Sequence, residues 1–305
     1  MKIRNILFPT DFSCCSEHAF DHAVRFAQEY GAQLHIFHLT VLLVDDPMNP
    51  AFHCRDTGKY EQQAREATDG AMVNLLRRHN LEGVEIKLVQ RQGVSASSAI
   101  LEYIEHGEVD LVVMGTHGHR GIAKAVLGSV AAKVVQLGSC PVMTLCEKRG
   151  AGHLPEVHRL VVPIDFSVPS ERALALSGSI AERFGATIDL VHVIENYSLP
   201  AFYGPWPRAW EDLKILAMDE LLELRDQQRE LLPKTVEVEA HVLESRRASH
   251  GIVNFAKDRR ADGIVIASEG LTGLPRVFIG GTAQRIISLA SCPVLTVKAW
   301  AHHGV

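Results

Sequence analysis

The strongest restriction on the fold is that the two halves of this 305-residue chain repeat each other. Residues 6–13, with the sequence ILFPTDFS, return as residues 160–167, with the sequence LVVPIDFS. A repeat of this length is typical of duplicated domains rather than of a solenoid. We therefore predict two domains, residues 1–148 and 156–300, which meet near a polar, glycine-containing segment at residues 147–152.

Strand and helix patterns alternate within each half. The first half is predicted to contain strand 3–8, helix 16–30, strand 33–41, loop 45–58, helix 60–79, strand 84–90, helix 96–105, strand 111–114, helical residues 130–135 and strand 142–145. The second is predicted to contain strand 160–162, helix 170–184, strand 187–194, loop 195–210, helix 210–232, strand 236–244, helix 249–258, strand 263–267 and strand 294–298. Gly31 stands where a helix C-cap glycine is expected. The alternation predicts an α/β fold of two tandem, doubly wound, Rossmann-like parallel sheets.

Composition narrows the class of protein. The formal net charge is −5, which gives no reason to expect nucleic acid or an anionic membrane as a partner. No apolar run approaches the ~18–20 residues that a membrane helix needs, so we expect no membrane insertion. The apolar stretch at the start of the chain is too short for a signal peptide. Six cysteines without C-x-x-C pairs indicate reduced thiols and a cytoplasmic location.

A glycine-rich stretch follows the predicted strand 111–114. Residues 115–129, GTHGHRGIAKAVLGS, have the spacing G-x2-G-x9-G-S and lead into a helix. Glycines let a backbone approach a phosphate closely, and a helix start offers N–H donors to an anion. The spacing matches neither the dinucleotide fingerprint nor the Walker loop. The alternative is a glycine-rich loop that merely turns a corner.

This spacing resembles the nucleotide-binding loop of the universal stress protein family, and residues 139–142, SCPV, resemble the last strand of that family. SCPV returns at residues 291–294, so the resemblance covers nearly the whole chain, twice. It implies an adenine-nucleotide-binding domain in each half, with ATP, alone or together with Mg²⁺, as the cofactor.

The resemblance also assigns site residues in the first half. The adenosine pocket would comprise Pro9, Thr10, Asp11 and Val41. The ribose and phosphates would contact the loop and the next helix start, through Met114, Gly115, Thr116, His117, Gly118, His119, Arg120, Gly121, Gly128, Ser129 and Val130. Arg120 is either a phosphate ligand or a solvated loop cation.

Asp11 has two interpretations. Its carboxylate can accept hydrogen bonds from an adenine amino group or a ribose hydroxyl. Alternatively, it caps the following helix together with Ser13 and Ser16.

The second half departs from the family pattern. Ala267 replaces the first glycine, and Glu269 takes the place of His117, where an anion would repel phosphates. Arg276 partly compensates for that charge. The weaker second site would consist of Pro163, Ile164, Asp165, Val193, Gly270, Gly273, Gly280, Gly281 and Thr282. We expect competent binding in the first half and weaker or absent binding in the second.

Other chemistry has little support. His18 and His22, spaced i,i+4, can in principle hold Zn²⁺ on one helix face, but a solvated face is the favoured interpretation. His53 and Cys54 form another weak ligand pair, and Cys14 and Cys15 are candidates for redox sensitivity. We predict no metal site and no catalytic residue.

The expected function is ATP binding as a nucleotide-dependent regulatory module in stress response, with little or no hydrolysis. The alternatives are a slow ATPase or autokinase and a nucleotide-free protein-interaction module. An unidentified regulatory protein is the expected partner. By the resemblance, residues 142–145 should pair with residues 294–297, so that one chain forms the pair that single-domain relatives make by dimerising. A homodimer of the whole chain is a further possibility.

Overall fold

The computed structural model describes residues 2–41, 57–118, 127–145, 156–196, 207–229, 232–269 and 279–298. The first half contains β1 (Asn5–Pro9), α1 (Cys14–Tyr30), β2 (Gln33–Val41), α2 (Thr57–Arg77), β3 (Ile86–Gly93), α3 (Ala96–His106), β4 (Leu111–Gly115), α4 (Ser129–Leu137) and β5 (Val142–Leu145). The second contains β6 (Arg159–Pro163), α5 (Val168–Phe184), β7 (Thr187–Glu195), α6 (Pro207–Gln228), β8 (Val238–Ser245), α7 (Ala248–Asp258), β9 (Gly263–Ala267), α8 (Gly281–Leu289) and β10 (Val294–Val297).

The strands form one ten-stranded sheet in the order β3-β2-β1-β4-β5-β10-β9-β6-β7-β8. Every pair within each half is parallel. One core cluster holds residues of α1, α2, α5 and α6, and the other holds residues of α3, α4, α7 and α8. The helices therefore cover both faces, which confirms the predicted tandem, doubly wound α/β fold.

The two halves join edge to edge at the centre of the sheet. β5 and β10 are antiparallel, with Met143 opposite Leu295. Both strands are buried along their whole length. The predicted pairing of residues 142–145 with residues 294–297 is confirmed, and it covers an edge that each half would otherwise expose.

The halves also meet through α1 and α5. The rings of Phe26 and Phe184 lie 5.0 Å apart. Arg183 Nε donates to the carbonyl oxygen of Glu29 at 2.5 Å, near the end of α1. Arg25 forms an ion pair with Glu29 at 2.7 Å and lies 5.7 Å from the centre of the Phe184 ring. Together these contacts hold α1 of the first half against α5 of the second, on one face of the sheet.

Local signals account for the boundaries of α1 and α5. Ser13 and Ser167 cap the two helix starts by accepting a hydrogen bond from the backbone N–H three residues later. Gly31 and Gly185 end the helices with φ of 62° and 70°, in the left-handed region that glycine tolerates. The predicted C-cap at Gly31 is confirmed.

Three expectations need correction. α2 starts at Thr57, so the last two residues of the predicted loop 45–58 are helical, while residues 45–56 lie outside the described chain. Likewise, Glu195 belongs to β7 and α6 starts at Pro207, inside the predicted loop 195–210.

The prediction that His22 lies on a solvent-exposed face of the helix is wrong. His22 is only 8% exposed. It lines a pocket together with Leu160 and Pro293 of the second half, because the pairing of the two halves covers that side of α1. Among the described helices, none combines the length and apolarity that crossing a membrane requires.

Candidate functional site

The loops after β1 and β4 lie side by side at the carboxyl edge of the first half, because these strands are hydrogen-bonded neighbours. α4 starts at this edge, where Gly128 N donates to Thr116 O at 2.8 Å. Gly128 is the N-cap of α4 and has no side chain to bond the first-turn N–H groups. Such a helix start offers those N–H groups and the positive end of the helix dipole to an anion.

At three glycines here an added side chain would collide with or crowd a neighbouring group. A Cβ on Gly128 would lie 2.7 Å from Thr116 O, and one on Gly118 would lie 2.3 Å from Asp11 Oδ2. A Cβ on Gly115 would lie 3.1 Å from the backbone and sulfur of Cys15. The loop therefore lies directly against the turn between β1 and α1. We call this arrangement of Asp11, Gly115, Gly118 and Gly128 the glycine cradle.

Asp11 takes part in positioning α1. Its Oδ1 accepts from the Ser13 N–H at 3.0 Å and from the Ser13 hydroxyl at 2.6 Å. Ser13, in turn, is the residue that caps α1. Ser13 is therefore the capping residue, and Asp11 contributes to the cap by orienting Ser13. Its other oxygen, Oδ2, lies beside Gly118 at an exposed position of the cradle.

An aromatic pair that the predicted site does not include lies beside the cradle. Phe12 has a positive φ of 60°, and its ring lies 4.7 Å from that of His38. His38 Nδ1 donates to Thr10 O at 2.9 Å. The second half repeats this geometry with Phe166 and His192, whose rings also lie 4.7 Å apart. The recurrence of Phe and His at matching positions of the repeat was the signal that could have revealed the pair.

A hydrogen-bonded chain runs from the end of β5 to His117. Thr116 donates to Leu145 O through its N–H at 2.7 Å and through its hydroxyl at 3.1 Å. His117 Nδ1 lies 2.9 Å from Thr116 Oγ1. His117 Nε2 is buried and has no hydrogen-bond partner among the described residues.

The remaining predicted residues of the first site fall into three groups. Pro9, Thr10 and Met114 are buried, whereas Val41 is 56% exposed at the end of β2. Ser129 and Val130 form the exposed and half-buried first turn of α4. The predicted residues that lie outside the described chain are His119, Arg120 and Gly121.

The second half repeats the backbone of the cradle more loosely. Gly280 N donates to Ser268 O at 2.8 Å, and α8 starts at Gly281. A Cβ on Gly280 would lie 3.4 Å from Ser268 O, which is an ordinary contact distance. Asp165 orients the cap Ser167 as Asp11 orients Ser13. Pro163 and Ile164 are buried, Val193 is half-buried and Thr282 is exposed, whereas Gly270 and Gly273 lie outside the described residues.

Charged groups distinguish the second cradle. Oε1 of Glu269 is buried without a hydrogen-bond partner in the described parts of the chain. Lys298 is 2% exposed and its ammonium donates to Gln136 O of the first half. Burial lowers the pKa of Lys298 to about 8, against the opposing influence of Glu269. The second site therefore combines a buried acceptor with a nearby buried cation.

A polar cluster at the other end of the strands is structural. Asp189, Glu239 and His241 lie close enough to hold a metal ion. Arg159 and Arg259 each donate to Asp189 at 3.0 Å, and His241 Nε2 lies 3.0 Å from it. Burial raises the pKa of Asp189, but these hydrogen bonds outweigh it and hold the pKa below its usual value. Two guanidinium groups thus fill the place that a cation would need.

Comparison with known proteins agrees with this architecture. The family model described as the universal stress protein family matches residues 2–145 and 156–298. Universal stress protein MJ0531 of Methanocaldococcus jannaschii is 33% identical over 142 residues, which cover 46% of this chain and 81% of that protein. Universal stress protein Rv1996 of Mycobacterium tuberculosis is 23% identical over 320 residues and covers 96% of this chain and 94% of its own length.

A solved structure shows the same fold over the full length. A universal stress protein from Archaeoglobus fulgidus superposes with a TM-score of 0.67 at 19% identity, covering 98% of this chain and 100% of that protein. The repeat, the ten-stranded sheet and the two family-model matches together lead to one conclusion: the chain belongs to the universal stress protein family and contains two tandem domains of it.

Proposed function

We propose that this protein binds ATP in its first half and acts as a nucleotide-dependent regulatory module with little or no hydrolysis. The observation that carries the proposal is the glycine cradle, in which Gly128 leaves the start of α4 uncapped beside Asp11 and Gly118. An uncapped helix start approached by side-chain-free backbone is suited to phosphate oxygens. Membership of the universal stress protein family supports the same ligand class.

In this proposal the adenosine lies against the end of β1 and β2. Asp11 offers a carboxylate oxygen there, next to the buried Thr10, and the exposed Val41 supplies an apolar surface that a base would cover. The phosphates extend along the loop toward Gly128 and Ser129. Mg²⁺ would accompany the triphosphate and neutralise part of its charge.

The site offers few groups for catalysis. Among the described first-site residues, Asp11 is the single carboxylate, and one of its oxygens already orients Ser13. Phosphoryl transfer requires groups that hold a metal ion and position the nucleophile. This shortage favours binding over turnover. A binding switch needs no turnover, since ATP at ~100-fold above its Kd stabilises the folded state by about 2.7 kcal/mol.

The test compares Gly128→Ala with Gly280→Ala in the full chain. The added methyl group collides with Thr116 O in the first half, but it fits beside Ser268 O in the second. Purified protein would be heat-denatured and the released nucleotide identified and counted, and nucleotide-free protein would be titrated with ATP by calorimetry. We expect binding by the wild type and by Gly280→Ala, and at least tenfold weaker binding by Gly128→Ala.

Circular dichroism would verify that both variants are folded. Should the wild type neither carry nucleotide nor bind added ATP, the proposal fails and a protein-interaction module becomes the better explanation. Steady release of inorganic phosphate with Mg²⁺, abolished by Asp11→Asn, would instead favour the slow ATPase or autokinase.

A further inference from the structure

The turn between β1 and α1 contains a residue in an unfavourable backbone conformation. Phe12 has a φ of 60°, in the left-handed region that a bulky side chain rarely adopts. It directly follows Asp11, whose Oδ2 lies beside Gly118 in the glycine cradle. Such a conformation persists only where neighbouring groups hold it, and it is found most often at functional sites. The contacts that hold this turn therefore also set the position of Asp11.

His38 of β2 contacts the residues on both sides of Asp11. Its Nδ1 lies 2.9 Å from Thr10 O, and its ring lies 4.7 Å from the ring of Phe12. Since a carbonyl oxygen only accepts, Nδ1 must carry a hydrogen and donate it. β2 is itself held between β1 and β3. His38 thus connects the turn to a strand inside the sheet.

The second half repeats this support without the hydroxyl of Thr10. His192 Nδ1 lies 2.8 Å from Ile164 O, and its ring lies 4.7 Å from that of Phe166, whose φ is also 60°. In the first half, Thr10 Oγ1 additionally accepts from the N–H of Phe12 at 3.0 Å. An isoleucine side chain offers no such oxygen. The histidine contact is therefore present in both turns, with or without the hydroxyl.

We propose that His38 is a positioning residue of the nucleotide site. By donating to Thr10 O, it holds the turn in the shape that places the carboxylate of Asp11 in the cradle. The affinity for a ligand falls when the binding-competent shape is only fractionally populated. Loss of this hydrogen bond should therefore weaken nucleotide binding although His38 need not touch the nucleotide. This inference rests on the proposed adenine-nucleotide site.

The test compares His38→Asn with His38→Gln in the full chain. Both variants lose the ring, but the amide nitrogen of asparagine comes close to the position of Nδ1, whereas that of glutamine extends toward the position of Nε2. Only asparagine can therefore replace the donor to Thr10 O. Calorimetric titration with ATP should show wild-type affinity within about twofold for His38→Asn and about fivefold weaker binding for His38→Gln, as expected for one lost hydrogen bond.

His192→Gln is the matched control in the second half. It breaks the equivalent contact with Ile164 O, so His38→Gln and His192→Gln should lose similar stability in urea unfolding. Only His38→Gln should weaken ATP binding, because the proposed site lies in the first half. Equal affinities of His38→Gln and the wild type would overturn the inference, and so would equal weakening by the two glutamine variants.

A double-mutant cycle tests whether His38 acts through Asp11. In the Asp11→Ala background, His38→Gln should change the ATP affinity by less than about twofold, because the group that His38 positions is gone. Persistence of the full loss in that background would show that His38 acts on another part of the site, and it would contradict the proposal.

Nitrogen-15 NMR of the wild type provides a measurement that needs no variant. It should show a hydrogen on Nδ1 of His38, whereas hydrogen on Nε2 alone would contradict the donation to Thr10 O. Failure of the wild type to bind ATP would remove the proposed function itself. ATP binding that is equally strong in the wild type and in His38→Gln would remove this inference alone.

Discussion

The two halves share a backbone but differ in the polar group buried inside their second strand. His35 of β2 lies opposite Leu7, and Asp189 of β7 lies opposite Val161, which are equivalent places in the repeat. Tyr103 and Gln33 hydrogen-bond the two ring nitrogens of His35, at 3.0 and 2.7 Å. Asp189 instead collects two arginines and His241.

This difference indicates that the position requires satisfied hydrogen bonds and not a particular charge. Burial, followed by the charge of Lys87, lowers the pKa of His35, which favours the neutral ring. Asp189 keeps its negative charge because Arg159 and Arg259 compensate for burial. Both arrangements leave a buried polar group with partners, which is the condition for tolerating it inside a sheet.

At the carboxyl ends of the strands, the two halves differ in how much space surrounds the glycine before the helix. Gly128 leaves no space for a methyl group beside Thr116 O, whereas Gly280 leaves contact distance beside Ser268 O. The repeated backbone therefore encloses a close cradle in the first half and a looser one in the second.

Asp189→Asn should have the largest effect on stability. An amide cannot compensate two guanidinium groups, and breaking a buried ion pair costs about 3–5 kcal/mol. Because Arg159 and Arg259 remain about one-third exposed, we expect a loss near 3 kcal/mol in urea unfolding. Asp226→Asn, which removes the exposed partner of Arg225, is the control and should cost less than about 1 kcal/mol.

The same substitution should change the acid response. The folded-state pKa of Asp189 lies below its unfolded value, so its contribution is complete above the unfolded pKa and is lost as pH falls through the folded pKa. Asp189→Asn should flatten the decline of stability in that acid range. An unchanged acid profile would show that the network does not depend on this carboxylate.

Gly128→Ala and Gly280→Ala should separate the two cradles by stability in the absence of nucleotide. Overpacking against a fixed backbone oxygen typically costs about 1–3 kcal/mol, and only Gly128 faces an oxygen closer than 3 Å. Thermal unfolding of nucleotide-free protein measures both. Equal losses would mean that the cradles are equally tight.

Thr144→Val and Thr296→Val should differ by about 1 kcal/mol across the central strand pair. Thr144 Oγ1 donates to Val294 O at 3.3 Å, so its loss removes a hydrogen bond. Thr296 Oγ1 is buried without a partner among the described residues, and its removal should be neutral or stabilising. Urea unfolding at pH 7 checks the sign, and a costly Thr296→Val would reveal a partner for its hydroxyl.

Tyr30→Phe should have the smallest effect at neutral pH and a distinctive one at alkaline pH. Tyr30 Oη lacks a partner within the described chain, so stability at pH 7 should stay equal or rise. Burial raises the pKa of Tyr30 to about 12, above the ~10 of an unfolded tyrosine. The wild type should therefore lose stability as pH rises from 10 toward 12, because the unfolded state gives up its proton first.

The variant should lack this alkaline loss. Tyr103→Phe is the control for the effect at pH 7. The Tyr103 hydroxyl lies 3.0 Å from His35 Nδ1, so its removal, unlike that of the Tyr30 hydroxyl, should cost about 1 kcal/mol at pH 7. A similar alkaline loss in wild type and Tyr30→Phe would contradict the argument.

The sequence determined the order of elements and the pairing of domains. Gly31 and Gly185 mark helix ends through their own left-handed φ, and Ser13 and Ser167 mark helix starts through local hydrogen bonds. Such signals act over a few residues and can be read along the chain. The repeat and the family resemblance supplied the long-range part, including the pairing of β5 with β10, whose antiparallel direction is seen only in the structure.

Which polar groups are buried, and which partners they have, depends on the tertiary structure. His22 lies on an apparently polar side of α1, yet the second half covers it. Asp189 meets Arg259 from 70 residues away. His117 Nε2 and Glu269 Oε1 are buried without a hydrogen-bond partner among the described residues, which no local pattern in the sequence indicates. Local propensity fixes where helices and strands form, whereas burial and hydrogen-bond partners depend on contacts between residues distant in the chain.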